Sequence, residues 1–175
     1  MKFLREYLDK KNMNKKNCIT NTMKKMKEGS AMNEEHTISL LKECSSGIKM
    51  ALNSINQVLE YADDDMLKHK ILEARAEHEK LEKKCGELLR KFGTGEKDPN
   101  VAASVFSKFT TDMKLLMNGA NCQIAKILMD GCNMGIQSIS ESRNEYENAE
   151  KSALDLAANL IRSEEEFMKQ LRVFL

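Results

Sequence analysis

Apolar and polar positions alternate with the period of an amphipathic helix over most of this chain. From Glu34 to Ala62, the residues Leu41, Cys44, Ile48, Ala51, Ile55, Val58 and Ala62 recur at alternating spacings of three and four. Such a stripe keeps one face turned inward for about eight helical turns. Asn33 is the expected cap, and Glu34 and Glu35 suit the positive end of the helix dipole. Asp63-Asp64-Asp65 makes a tight connection and supplies the cap of a second helix. The second stripe runs through Leu67, Ile71, Ala74, His78, Leu81, Cys85, Leu88 and Phe92. Gly93-Thr94-Gly95 should end this helix, because glycine accepts the left-handed conformation common at helix C-termini. A link as short as the three aspartates folds the two helices into an antiparallel hairpin.

Asp98-Pro99 reads as a cap followed by a first helical position, opening a shorter helix over residues 99–118 that Asn118-Gly119 ends. A long amphipathic helix follows from Asn121 to Tyr146, buried through Ile124, Leu128, Cys132, Ile136 and Ile139. Asn148 is expected to cap the last helix, where Ala153, Leu156, Leu160, Phe167, Leu171 and Phe174 face the core. Two hairpins joined through a short helix predict an all-α, antiparallel four-helix bundle. A short crossover helix between the second and third long helices is the ferritin-like connectivity.

The blocks CNMGIQSISESRNEY (132–146), SEEEFMKQLRVFL (163–175) and DPNVAASVFSKF (98–109) carry a family resemblance. In them the chain resembles bacterial ferritin-like proteins, clostridial ones in particular. The resemblance spans residues 34–175. It implies the fold and brings no established activity with it.

Composition agrees with long helices: among 175 residues there is one Pro and no Trp, and 31% are charged. No apolar run approaches the roughly 18 residues of a membrane span, and the charged N-terminus does not read as a signal peptide. Charge is unevenly spread. Residues 1–31 carry nine Lys or Arg against three Asp or Glu, and residues 32–175 carry nineteen against twenty-four. The first segment is read as a basic, disordered leader and residues 32–175 as the bundle domain. Alternatively, the leader is a basic arm for nucleic acid or an anionic surface. In a third reading it is not translated in the cell, since Lys27-Glu28-Gly29 can be encoded by a purine run resembling a ribosome-binding site ahead of Met32. Five cysteines without a CxxC pair fit reduced thiols in a cytoplasm.

Ferritin-like di-iron sites need a Glu from each of two helices and Glu-x-x-His on the other two, all pointing inward. Here Arg75 stands three residues before His78, and Phe167 stands three after Glu164. The fourth helix turns Gly131, Cys132 and Gly135 inward, so no di-iron ligand set is recognisable. His78 still interrupts an apolar stripe. It reads either as a buried histidine satisfied by one hydrogen bond or as part of a zinc or copper(I) site with Cys44, Cys85 and Cys132. Gly131 and Gly135 sit mid-helix, where each costs about 1 kcal/mol relative to alanine. Close approach of a neighbouring helix would compensate, with Gly47 serving similarly on the first helix, and a dimer seam is the other explanation. The Glu164-Glu165-Glu166 run reads as a solvated helix face.

No phosphate-binding glycine loop or nucleophile elbow is present in the sequence. The expectation is therefore a non-enzymatic cytoplasmic helical bundle, a binding or structural module that self-associates, as a dimer, and holds no cofactor. Two other classes stay open: a metal-binding or redox protein built on His78 and the inward cysteines, and a nucleic-acid- or surface-associated stress or spore protein using the basic arm.

Overall fold

A computed structural model describes residues 2–95 and 121–175, with side chains from Gly29 onward. The described residues form four α-helices: α1 (Lys2–Leu59), α2 (Asp65–Lys91), α3 (Asn121–Glu145) and α4 (Lys151–Leu171). A short 3-10 turn, Arg172–Phe174, follows α4. The short helix expected over residues 99–118 lies outside the described residues. Helix α1 is helical from Lys2, so Asn33 lies inside it and is not its cap. The Asn33 carbonyl accepts from Thr37 Oγ1 at 2.6 Å.

The expected connections between the first two helices are borne out. Asp64 caps α2, its side chain accepting from the Leu67 N–H at 2.8 Å. Gly93 takes φ +64° just beyond the end of α2, the left-handed conformation that glycine permits without strain. The start of α4 differs from expectation. Glu150 rather than Asn148 occupies the cap position, with no side-chain cap bond. Thr37 Oγ1 on α1 accepts the Glu150 N–H at 2.7 Å, so a threonine of another helix ties down this corner.

Helix directions follow from the contacts at the two ends. Asn121 Oδ1, opening α3, accepts from the N–H groups of Asp63 and Asp64 at 3.2 and 3.3 Å. Helices α2 and α3 therefore both start at the end where α1 finishes. Thr37 and Glu150 mark the opposite end, from which α4 returns. Around the bundle, α1 packs on α2, α2 on α4, α4 on α3 and α3 on α1, with α1 and α4 also touching across the middle.

Two apolar clusters fill the interior, one toward each end. Leu41, Ile48, Leu81, Leu89, Leu156 and Leu160 belong to the cluster near the α3–α4 corner. Ile55, Leu67, Ile71, Ile124, Phe167 and Leu171 belong to the cluster near the α1–α2 turn. His78 falls between Ala74 and Leu81 on α2, and Glu164 between Leu160 and Phe167 on α4. These two polar residues, 0% and 6% exposed, thus form a layer where the aliphatic clusters meet. Among the described residues, no helix is long and apolar enough to cross a membrane.

Candidate functional site

The buried polar layer is built from one residue on each of two neighbouring antiparallel helices. His78 reaches the interior because it occupies an inward position of the three-and-four stripe on α2. Its Nδ1 lies 2.8 Å from the Ala74 carbonyl one turn back. A carbonyl can only accept, so Nδ1 carries a hydrogen and donates. The other nitrogen, Nε2, lies 3.0 Å from Glu164 Oε1. With Nδ1 protonated, that second contact needs one more proton, shared between imidazole and carboxyl. The pair is therefore an imidazolium–carboxylate ion pair or its neutral tautomer, each holding the same one proton.

Burial works against the charged form of His78. The hydrogen bond and charge of Glu164, the Ala74 carbonyl and the charge of Glu77 outweigh it, and the net pKa lies above the usual histidine value. Cys132 on α3 completes the surroundings. Burial pushes its thiol pKa far up, and the charge and hydrogen bond of Glu164 push it further. A thiol held neutral in this way is a poor nucleophile and a poor metal ligand.

Above this layer a groove opens between α1 and α3. It encloses about 300 Å³ and reaches down to Glu164, Cys132 and Phe167. Small residues make the opening: Ser46, Gly47, Ala51 and Ser54 on α1 face Gly131, Gly135 and Ser138 on α3. The three glycines differ. At Gly47 a Cβ would meet Ile139 Cδ1 at 3.3 Å, so close helix approach explains that glycine. At Gly135 a Cβ would stand 3.5 Å from Glu164 Oε1, over the carboxylate. At Gly131 a Cβ would meet nothing within 4 Å, so packing within the bundle does not explain it.

Of the candidate metal ligands, Cys132 alone lies beside the His78–Glu164 pair. Cys44 and Cys85 share one apolar cluster, where Cys85 Sγ donates to the Leu41 carbonyl at 3.3 Å. Cys132 belongs to the other cluster, and His78 is engaged by Ala74 and Glu164. Among the described residues, no three His, Cys, Asp or Glu side chains converge as a metal-binding set. Cys44 is also held as a thiol: burial pushes its pKa up, with the charges of Cys85 and Glu43 adding to the effect.

Glu164 is the residue that sequence reasoning placed wrongly, as part of a solvated run. Its neighbours Glu165 and Glu166 are exposed, whereas Glu164 is buried. The signal lay in the last stripe. Between Leu160 and Phe167 the alternation of four and three skips one inward position, and Glu164 fills it. Comparison with protein-family models, curated proteins and solved structures gives no match to the chain.

Proposed function

We propose that this chain is a non-enzymatic binding module whose site is the groove between α1 and α3. One observation carries the reading: an apolar groove of about 300 Å³ ends on the buried, hydrogen-bonded pair of Glu164 and His78. That volume is at the lower end of the roughly 300–1,000 Å³ of small-molecule sites, which are mostly apolar with a few placed polar groups. Gly131 supports the reading, because a mid-helix glycine without a close neighbour leaves groove space at a cost in helix stability. The non-enzymatic part rests on the site's chemistry. Both nitrogens of His78 are engaged, and the Cys132 thiol is held in its neutral form.

The directions of α2 and α3 support the ferritin-like connectivity that the sequence resemblance implies, with residues 96–120 as the crossover. In this reading the waist of the bundle, where a ferritin-like protein keeps its metal ligands, holds an ion pair instead.

Fluorescence titration with the neutral apolar probe N-phenyl-1-naphthylamine tests the groove. Saturable binding is expected in the native protein and should be lost in Gly131→Leu, whose added side chain fills the opening. Binding that is unchanged in a folded Gly131→Leu variant overturns the proposal. The expected dimer would close the same groove with a second copy. Light scattering then shows association with rising concentration, and probe binding falls in parallel.

A further inference from the structure

The floor of the groove presents a carboxylate. The groove lining includes the carboxylates of Glu43 and Glu164, and none of its described lining residues is Lys, Arg or His. An anionic ligand at the groove floor would meet the Glu164 carboxylate in a poorly solvated space, where like charges repel strongly. The remaining lining is polarizable and apolar: Met50 and Met134 supply thioethers, and Phe167 supplies an aromatic ring beside the carboxylate. Such surfaces receive an apolar body and tolerate an adjacent cation.

The carboxylate at the floor is already compensated by the proton it shares with His78. Three groups stand around that proton, Glu164 on α4, the Cys132 thiol on α3 beside Glu164, and Glu77 beside His78 on α2, while α1 contributes Glu43 to the groove lining. A cation entering from the groove would face the imidazolium across one carboxylate. Two positive charges on one buried carboxylate favour release of the more labile proton, which is that of His78. Its Nδ1–H keeps the Ala74 carbonyl either way.

We propose that the groove takes a small apolar molecule bearing an ammonium group, and that this cation exchanges one-for-one with the proton held between His78 and Glu164. The inference rests on the groove being the binding site. In the exchange the ammonium donates both to the Glu164 carboxylate and to the freed Nε2 of His78, the imidazolium proton leaves to solvent, and the net charge of the site is unchanged. Gly135 is what lets the two meet, since a side chain there would cover Oε1.

The test is calorimetric titration with 4-phenylbutylamine, 4-phenylbutanol and 4-phenylbutyrate, which share one shape and differ in charge. An alkylamine, like lysine with its pKa of about 10.4, stays protonated between pH 6 and 8. At pH 8 the amine is expected to bind at least about tenfold more tightly than the alcohol, with the carboxylate weakest, the gap expected when one buried charge is compensated. Below the pKa of His78, its affinity should rise by up to about tenfold per pH unit, the slope of a one-proton exchange. Titrations in buffers of different ionisation enthalpy should count about one proton released per amine bound. Glu164→Gln should erase both the preference and the pH slope. Equal affinity for amine and alcohol, preference for the carboxylate, or an amine affinity flat with pH overturns the inference. If the neutral probe above does not bind, the groove reading itself fails, and that result is read separately.

Discussion

His78 Nε2 on α2 and Glu164 Oε1 on α4 lie 3.0 Å apart in the middle of the bundle, with both side chains almost wholly out of solvent. Removing either partner leaves the other buried without compensation, a change that typically costs about 3–5 kcal/mol. His78→Ala should therefore destabilise the protein by that order in chemical denaturation. Glu164→Gln should cost much less, because the amide can donate to Nε2 while Nδ1–H keeps the Ala74 carbonyl. Similar losses for the two variants would mean that the carboxylate charge, and not the hydrogen bond alone, holds the pair together.

The pair also fixes the sign of one pH dependence. The folded pKa of His78 lies above its unfolded value, since the Glu164 contacts outweigh burial. Its stabilising contribution is thus complete below the unfolded pKa of about 6.5 and declines as pH rises through the folded value. The stability difference between native protein and His78→Gln should shrink as pH rises from 6 to 9. Thermal denaturation across that range provides the check, and a difference that grows with pH would contradict the assignment.

The glycines separate packing from opening. Gly131→Ala adds a methyl group where nothing lies within 4 Å. It should raise stability by up to about 1 kcal/mol through helix propensity. Gly47→Ala gains the same propensity but presses on Ile139 Cδ1 at 3.3 Å, so the gain should be smaller or absent. Urea denaturation of both variants compares them directly.

Thiol reactivity should follow burial. Cys44, Cys85 and Cys132 are buried, and Cys122 is half-exposed. In a Cys18→Ser background, a disulfide-exchange reagent such as DTNB should modify Cys122 first, with the other three reacting only as the bundle opens. Rapid labelling of Cys44 or Cys132 in the native state would contradict the raised thiol pKa values.

Hydrophobic spacing made most of the bundle legible in advance. Leu41, Ile48, Ile71, Leu128 and Leu156 are all buried where the stripes placed them. The Asp64 cap and the Gly93 stop depend on chemistry within a few residues of the helix end, so local sequence carries them. The start of α4 depends on Thr37, 113 residues away from Glu150, and no local pattern announces such a bond. The partner of His78 was hidden for a different reason. A glutamate between two other glutamates resembles a surface run unless the inward register is followed through it, and its distance of 86 residues from His78 appears only in three dimensions. The groove was equally illegible, because spacing alone cannot tell a glycine that admits a neighbour from one that leaves space.

Stripes of leucine and isoleucine would accept several offsets along the axis, since one aliphatic residue replaces another a turn away. The polar layer removes that freedom. Sliding α4 by one turn against α2 brings Leu160 or Met168 opposite His78 and strands an imidazole in hydrocarbon. An unsatisfied buried polar group costs roughly 1–3 kcal/mol, and a charged one more. The pair works as an index mark that fixes where one helix sits along the other.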